Sequence, residues 1–167
     1  MYIFMDKEPL FYEEQYFRQW WVWILILGLN GITVFGAISQ VVFGHTFGDK
    51  PMSNLGIVIF TIVFAAFMVF FLSQNLSTKI DERGIYIKFF PYHRRWRLYE
   101  WEKIAHCELK NYNPMFEFGG WGIRPGVYSV SGNSGLLLHF KSGKPKLMIG
   151  TRKTEEMQQV LQTLNQL

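Results

Sequence analysis

The sequence predicts a membrane α-helical hairpin followed by a mainly β domain, a small antiparallel barrel or sandwich capped by a C-terminal helix. Three observations carry that prediction. Two long apolar runs without a charged residue lie in the first half, separated by a short polar linker. From about Ser77 the pattern changes to short runs of period two. The last segment places apolar residues at spacings of three and four. The mean hydropathy of +0.06 is that of a soluble protein, but it averages an apolar first half with a polar second half.

The first run, Trp20 to Phe43, and the second, Leu55 to Leu72, lack Asp, Glu, Lys and Arg. A helix needs about 20 apolar residues to cross a hydrocarbon core roughly 30 Å thick. The first run meets this length, and the second meets it if Ser73 and Gln74 reach the interface. A soluble core helix would show a polar face at helical spacing, and neither run does. The expected helices are therefore 20–43 and 55–74 within a hairpin of residues 20–76. The linker GHTFGDKPMSN, Gly44 to Asn54, suits an exposed turn between antiparallel neighbours.

The preceding leader, residues 1–19, is acidic and aromatic rather than basic, and no small-residue cleavage site closes the first run. It reads as a cytoplasmic leader whose stretch Pro9 to Gln19 either begins the first helix early or lies along the interface. Lys and Arg set the orientation. The linker holds only Lys50, whereas Lys79, Arg83, Lys88, Arg94, Arg95 and Arg97 follow the second run. Both termini are expected in the cytoplasm. The same distribution accounts for the net charge of +4 without nucleic acid.

Within the runs, Asn30 and Gln40 are the notable amides. Gln40, near a helix end, is expected to reach the interface. Asn30, beside Gly28 and Gly31, is the candidate for a helix–helix contact, because an amide in hydrocarbon seeks a partner. No acid, base or histidine interrupts either run, which speaks against a proton relay or an ion pathway.

The β domain is expected over residues 77–167. Ile85, Ile87 and Phe89 alternate with Tyr86, Lys88 and Phe90; a turn at Pro91 to Arg95 follows, then Trp96 and Leu98 alternate with Arg97 and Tyr99. Ile104 to Leu109, VYSVSG, GLLLHF and KLMIG read as further strands, the last three separated by glycine-containing turns. Thr154 is the expected N-cap of the closing helix, with Glu155 and Glu156 in its first turn. Met157, Val160, Leu161, Leu164 and Leu167 form its apolar stripe.

Helix pair, sheet and closing helix, together with FGGWGIR (Phe118 to Arg124), Tyr128, SGNSG (Ser131 to Gly135) and IGTR (Ile149 to Arg152) leading into Glu155-Glu156, resemble bacterial membrane proteins with a pleckstrin-homology-like (PH-like) domain after two transmembrane helices. The resemblance implies a PH-like fold and a bacterial inner-membrane location. It implies no common reaction.

Several segments then compete as functional sites. In FGGWGIR, Trp121 is a candidate apolar anchor and Arg124 a candidate donor to a carboxylate or phosphate. The alternative is a glycine-made bulge, with Trp121 plugging the barrel end and Arg124 paired to an internal acid such as Glu117. Asn30 and Gly31 are candidate partner-binding residues in the hairpin. Arg94, Arg95, Trp96 and Arg97 are candidates for contact with the membrane surface, aromatics inserted and arginines on phosphates.

Chemistry is sparse. His45, His93, His106 and His139 have no metal-ligand spacing, and the lone Cys107 reads as a core residue. SGNSG is not a nucleophile elbow, and no phosphate-binding glycine loop is present. Asn75-Leu76-Ser77 matches a glycosylation sequon, without consequence at a cytoplasmic helix end. The expectation is a non-enzymatic, membrane-tethered binding or scaffold protein without cofactor or metal, whose partners are the bilayer and a protein or a second copy. An accessory subunit of a membrane complex is the alternative, and a lipid-binding or lipid-acting protein the third.

Overall fold

A computed structural model describes residues 8–17, 19–113, 116 and 122–167. The chain forms two compact units, Arg18–Ser73 and a second built from both Met1–Phe17 and Gln74–Leu167.

The first unit is the helical pair, α1 (Trp20–Val41) and α2 (Asn54–Leu72). Both are long and apolar enough to cross a membrane, and only 11% and 6% of their most apolar windows are buried, unlike core helices of a soluble protein. Their less exposed residues recur at spacings of three and four: Val22, Ile26, Asn30, Thr33, Ala37 and Gln40 on α1, and Ile57, Thr61, Phe64 and Met68 on α2, form a seam of buried or half-buried side chains. That spacing is the period of left-handed helix packing. The Thr61 hydroxyl donates to Thr33 O at 3.2 Å across the seam and to Ile57 O at 2.8 Å in its own helix. Ser53 caps α2, its hydroxyl accepting from Gly56 N at 3.1 Å.

The two amides have different partners. Gln40 turns into the hairpin, where Nε2 donates to Met52 O at 2.7 Å and Asn54 Oδ1 at 3.0 Å, fastening the linker to α1. Asn30 is in the seam, but its Nδ2 donates to Ile26 O one turn back at 3.0 Å. Midway along the seam the cross-helix hydrogen bond is that of Thr61, whose hydroxyl needs no dedicated acceptor because helix carbonyls have a spare lone pair.

In the second unit, the first sheet has strand order β1–β2–β3–β4, all antiparallel, from β1 (Phe11–Tyr16), β2 (Asn75–Ile80), β3 (Gly84–Phe90) and β4 (Arg97–Glu100). The segment expected to start the first helix or lie at the interface is thus an edge strand. Its registers run from Phe11 opposite Ile80 to Tyr16 opposite Asn75, and Asn75-Leu76-Ser77 opens β2 rather than ending a helix. The period of two was present in FYEEQY, but neither face is apolar: the buried side chains are Phe11, Glu13 and Gln15.

The second sheet contains β5 (Ile104–Asn111), β6 (Gly122–Arg124), β7 (Val127–Ser129), β8 (Ser134–Phe140) and β9 (Leu147–Thr151), in the order β5–β8–β9–β7–β6. Its β7–β9 pairing is parallel and the other pairings are antiparallel. Leu76, Ile80, Ile85, Ile87 and Phe89 of the first sheet share one core with Cys107, Val130, Leu136, Leu138 and Ile149. Each large side chain so buried contributes about 1.5–3 kcal/mol.

The helix α3 (Thr154–Thr163) adds Met157 and Leu161 to this core, with Val160 and Leu164 packed against it and Leu167 exposed. Thr154 is its first helical residue and not its cap; no side chain caps it from the N-cap position, Lys153. The preceding turn is held by Glu13 of β1. The Glu13 carboxylate accepts the Thr151 hydroxyl at 2.7 Å and Arg152 N at 2.9 Å. Beside it, Gln15 Nε2 donates to Gly150 O at 2.7 Å and Ser131 donates to Gln15 Oε1 at 3.2 Å. A polar row on an edge strand therefore binds the two sheets together.

Candidate functional site

The outer face of the first sheet is the most distinctive surface of the β unit. Register places Tyr12, Glu14 and Tyr16 of β1 beside Lys79, Ser77 and Asn75 of β2, then Tyr86, Lys88 and Phe90 of β3, then Leu98 of β4. Period two forces this set outward while Ile85, Ile87 and Phe89 point into the core. Lys79 Nζ lies 4.4 Å from the Tyr86 ring centroid and 5.4 Å from that of Trp96; Lys88 Nζ is 5.1 Å from Trp96. Two ammonium groups and two aromatic rings thus form a ladder of cation–π contacts on an exposed face.

On β1, the Glu14 carboxylate accepts the Tyr12 hydroxyl at 2.5 Å and the Tyr16 hydroxyl at 3.0 Å. These bonds, that of Tyr12 foremost, hold Glu14 below the usual carboxylate range. Burial, followed by Glu14 itself, pushes the Tyr12 hydroxyl up to about 12.

Beyond Phe90 comes the turn to β4. Tyr92, Arg94, Arg95 and Trp96 are exposed there, with the Arg94 guanidinium 6.0 Å from the Phe90 ring. Arg97, grouped with them in the sequence, follows a different course. It stands opposite Ile87 in β4, still exposed, and its Nη1 donates to Tyr128 Oη at 3.2 Å. The same hydroxyl lies 3.3 Å from His93 Nε2, with the two rings edge to face. Burial first, and the Arg97 charge second, lower the pKa of His93. Since Arg97 can only donate, the hydroxyl proton of Tyr128 is available to a neutral His93.

The remaining sequence candidates are dispersed. Trp121 and Glu117 lie outside the described residues. Arg124 is half-buried at the end of β6, opposite Val127. In α1, Asn30 is buried in the seam whereas Gly31 is exposed, and a Cβ added at Gly28 or Gly31 would meet nothing within 4 Å. Cys107 is buried in the core, and burial raises its thiol to about 11. The rings of His106 and His139, paired across β5 and β8, have centroids 5.5 Å apart. Among the described residues, no group of three or more His, Cys, Asp or Glu side chains could hold a metal ion.

Sequence reasoning missed Glu13 and Gln15, whose only signal was the alternation in FYEEQY. It also missed the meeting of His93 with Tyr128, which depends on long-range pairing and has no local signal. No model of a known protein family matches the chain, and no curated protein matches it.

Proposed function

We propose that the protein is a membrane-tethered, non-enzymatic binding or scaffold module, in which a hairpin of two transmembrane helices carries a cytoplasmic PH-like domain at the inner membrane of a bacterium. The observation that carries this reading is the β1–β2 pairing. β1 precedes α1, β2 follows α2, and the two strands pair along their full length in one sheet. Strands on opposite sides of a bilayer cannot share a ladder, so the pairing favours a re-crossing hairpin with both ends on one side. The lysine and arginine distribution supports the cytoplasm as that side. The exposed apolar flanks of α1 and α2 support immersion in lipid. Two sheets around one core, closed by a C-terminal helix, agree with a PH-like domain in general plan.

Cysteine accessibility tests the topology. Single cysteines at His45 and at Gln158 are compared in sealed cells with a membrane-impermeant maleimide, Cys107 being shielded by its burial. Labelling at His45 alone is expected. Labelling of Gln158 in intact cells would reject the proposed side.

The accessory-subunit reading keeps one specific support. Gly31 is exposed on α1 with open space above it, room for a partner helix to approach closely. If Gly31→Leu dissociates a co-purifying membrane protein while Trp121→Ala and Arg124→Ala do not, the hairpin is the interface. The opposite pattern would assign binding to the β domain.

A further inference from the structure

The first sheet has an end of mixed charge and a basic end, and the chain fixes which is which. Asn75 pairs with both Tyr16 and Phe90. Only residues 73–74 separate β2 from α2, and only residues 17–19 separate β1 from α1. The strand ends at Tyr16, Asn75 and Phe90 are therefore the ends from which both helices depart along the chain. The opposite ends carry Asp81, Glu82 and Arg83 in the β2–β3 turn and Glu100, which stands opposite Gly84 and is ion-paired with Lys103. From Gly84 to Tyr99 there is no acidic residue, but Lys88, Arg94, Arg95 and Arg97.

The structure also separates these cations by their surroundings. Arg97, exposed like Arg94 and Arg95, is engaged by Tyr128, Arg94 and Arg95 stand in the turn itself, and Trp96 covers Lys88 at 5.1 Å. An exposed tryptophan and tyrosine among arginines is the composition that settles at a headgroup layer, ring in the interface and guanidinium on phosphate.

We propose that the β3–β4 turn, with Tyr92, Arg94, Arg95 and Trp96 and with Lys88 beside it, docks on the anionic phosphate groups of the leaflet that the hairpin crosses. The proposal rests on the membrane reading above and adds a lipid class and a surface to it. The occupant follows from charge and from the chain: the basic end is the helix-exit end. Docking here would hold the β domain at the bilayer in one orientation and leave the Asp81–Glu82 end toward the aqueous phase.

The test uses the full chain in lipid nanodiscs, with a fluorophore on a cysteine introduced at Tyr92 or, as a control, at Gln158 on α3. Lipids bearing a nitroxide on the headgroup quench a fluorophore held at the interface. In nanodiscs containing phosphatidylglycerol, quenching at position 92 is expected to exceed that at 158 at least twofold. It should fall toward the control in phosphatidylcholine alone, in Arg94→Glu/Arg95→Glu, and in about 1 M salt, where the screening length is roughly 3 Å. Equal quenching at the two positions, or quenching indifferent to anionic lipid and to charge reversal, overturns the proposal. Failure of the chain to enter nanodiscs at all would reject the membrane reading itself and is distinguished by co-elution with lipid.

Discussion

The helical and β units meet the same problem, polar groups inside an apolar setting, in opposite ways. In the hairpin, Asn30 and Thr33 bond to carbonyls of their own helix, while the Thr61 hydroxyl and the Gln40 amide reach across. In the β unit, Glu13 and Gln15 are almost wholly buried, and their partners lie at Ser131, Gly150, Thr151 and Arg152. The hairpin would thus keep the bonds of Asn30 and Thr33 if its helices slid or separated. In the β unit, those of Glu13 and Gln15 would be lost. Fold specificity in the hairpin comes from the shape of its seam, and in the β unit from a polar row that tolerates only one register.

The largest effect is expected where that row is cut. Glu13→Ala strands the Thr151 hydroxyl and the Arg152 N–H, and should cost roughly 3 kcal/mol. Unfolding of the full chain in detergent, followed through tryptophan emission, measures it. A loss no greater than that of an exposed Glu8→Ala control would show that the row is incidental.

Glycines sharpen the contrast. A Cβ at Gly84 would run into the backbone carbonyl of Tyr99, whereas one at Gly31 would meet nothing. Gly84→Ala should therefore lose about 2 kcal/mol by overpacking. Gly31→Ala in the hairpin should be neutral within a few tenths or slightly stabilising. Equal losses by thermal denaturation would mean that the two units are packed alike.

Within the hairpin, Gln40→Leu removes the bonds to Met52 and Asn54, and about 1 kcal/mol is expected, given the modest worth of hydrogen bonds between apolar helices. Protease susceptibility of the 44–53 linker should rise in step.

The smallest effect is the pH response of His93. Its ordinary pKa of 6.5 is lowered in the folded chain, so the unfolded chain binds more protons in the window just below that value. Stability contributed by neutral His93 is present above pH 6.5 and declines as pH falls below it. A His93→Phe chain should lose this part of the acid sensitivity, read as a smaller drop in melting temperature between neutral and mildly acidic buffer.

How far the sequence disclosed this structure depended on whether local pattern or distant pairing decided each element. Both apolar helices were legible to within a few residues, because length and the lack of charge are local facts. Ile85, Ile87 and Phe89 announced β3 through their alternation. β1 was not legible, because its buried face holds a carboxylate and an amide whose partners are more than a hundred residues away. Thr154 looked like a cap, but the capping turn was already taken by Glu13. Arg97 resembled its neighbours Arg94 and Arg95 in type and parted from them only through Tyr128, which sequence spacing cannot bring near it.

The position of β1 ahead of the hairpin has a consequence for synthesis. The β unit is not a contiguous piece of chain, for its first strand is made before either apolar segment and its partner strand after both. While the helices emerge from the ribosome, β1 has no ladder, and Glu13 and Gln15 have no mates. Closing that long loop is the slow kind of event, since its entropy is lost before any contact rewards it. Completion of the domain therefore waits on the arrival of the second helix. A chain whose hairpin failed to return would leave β1 as an unpaired edge.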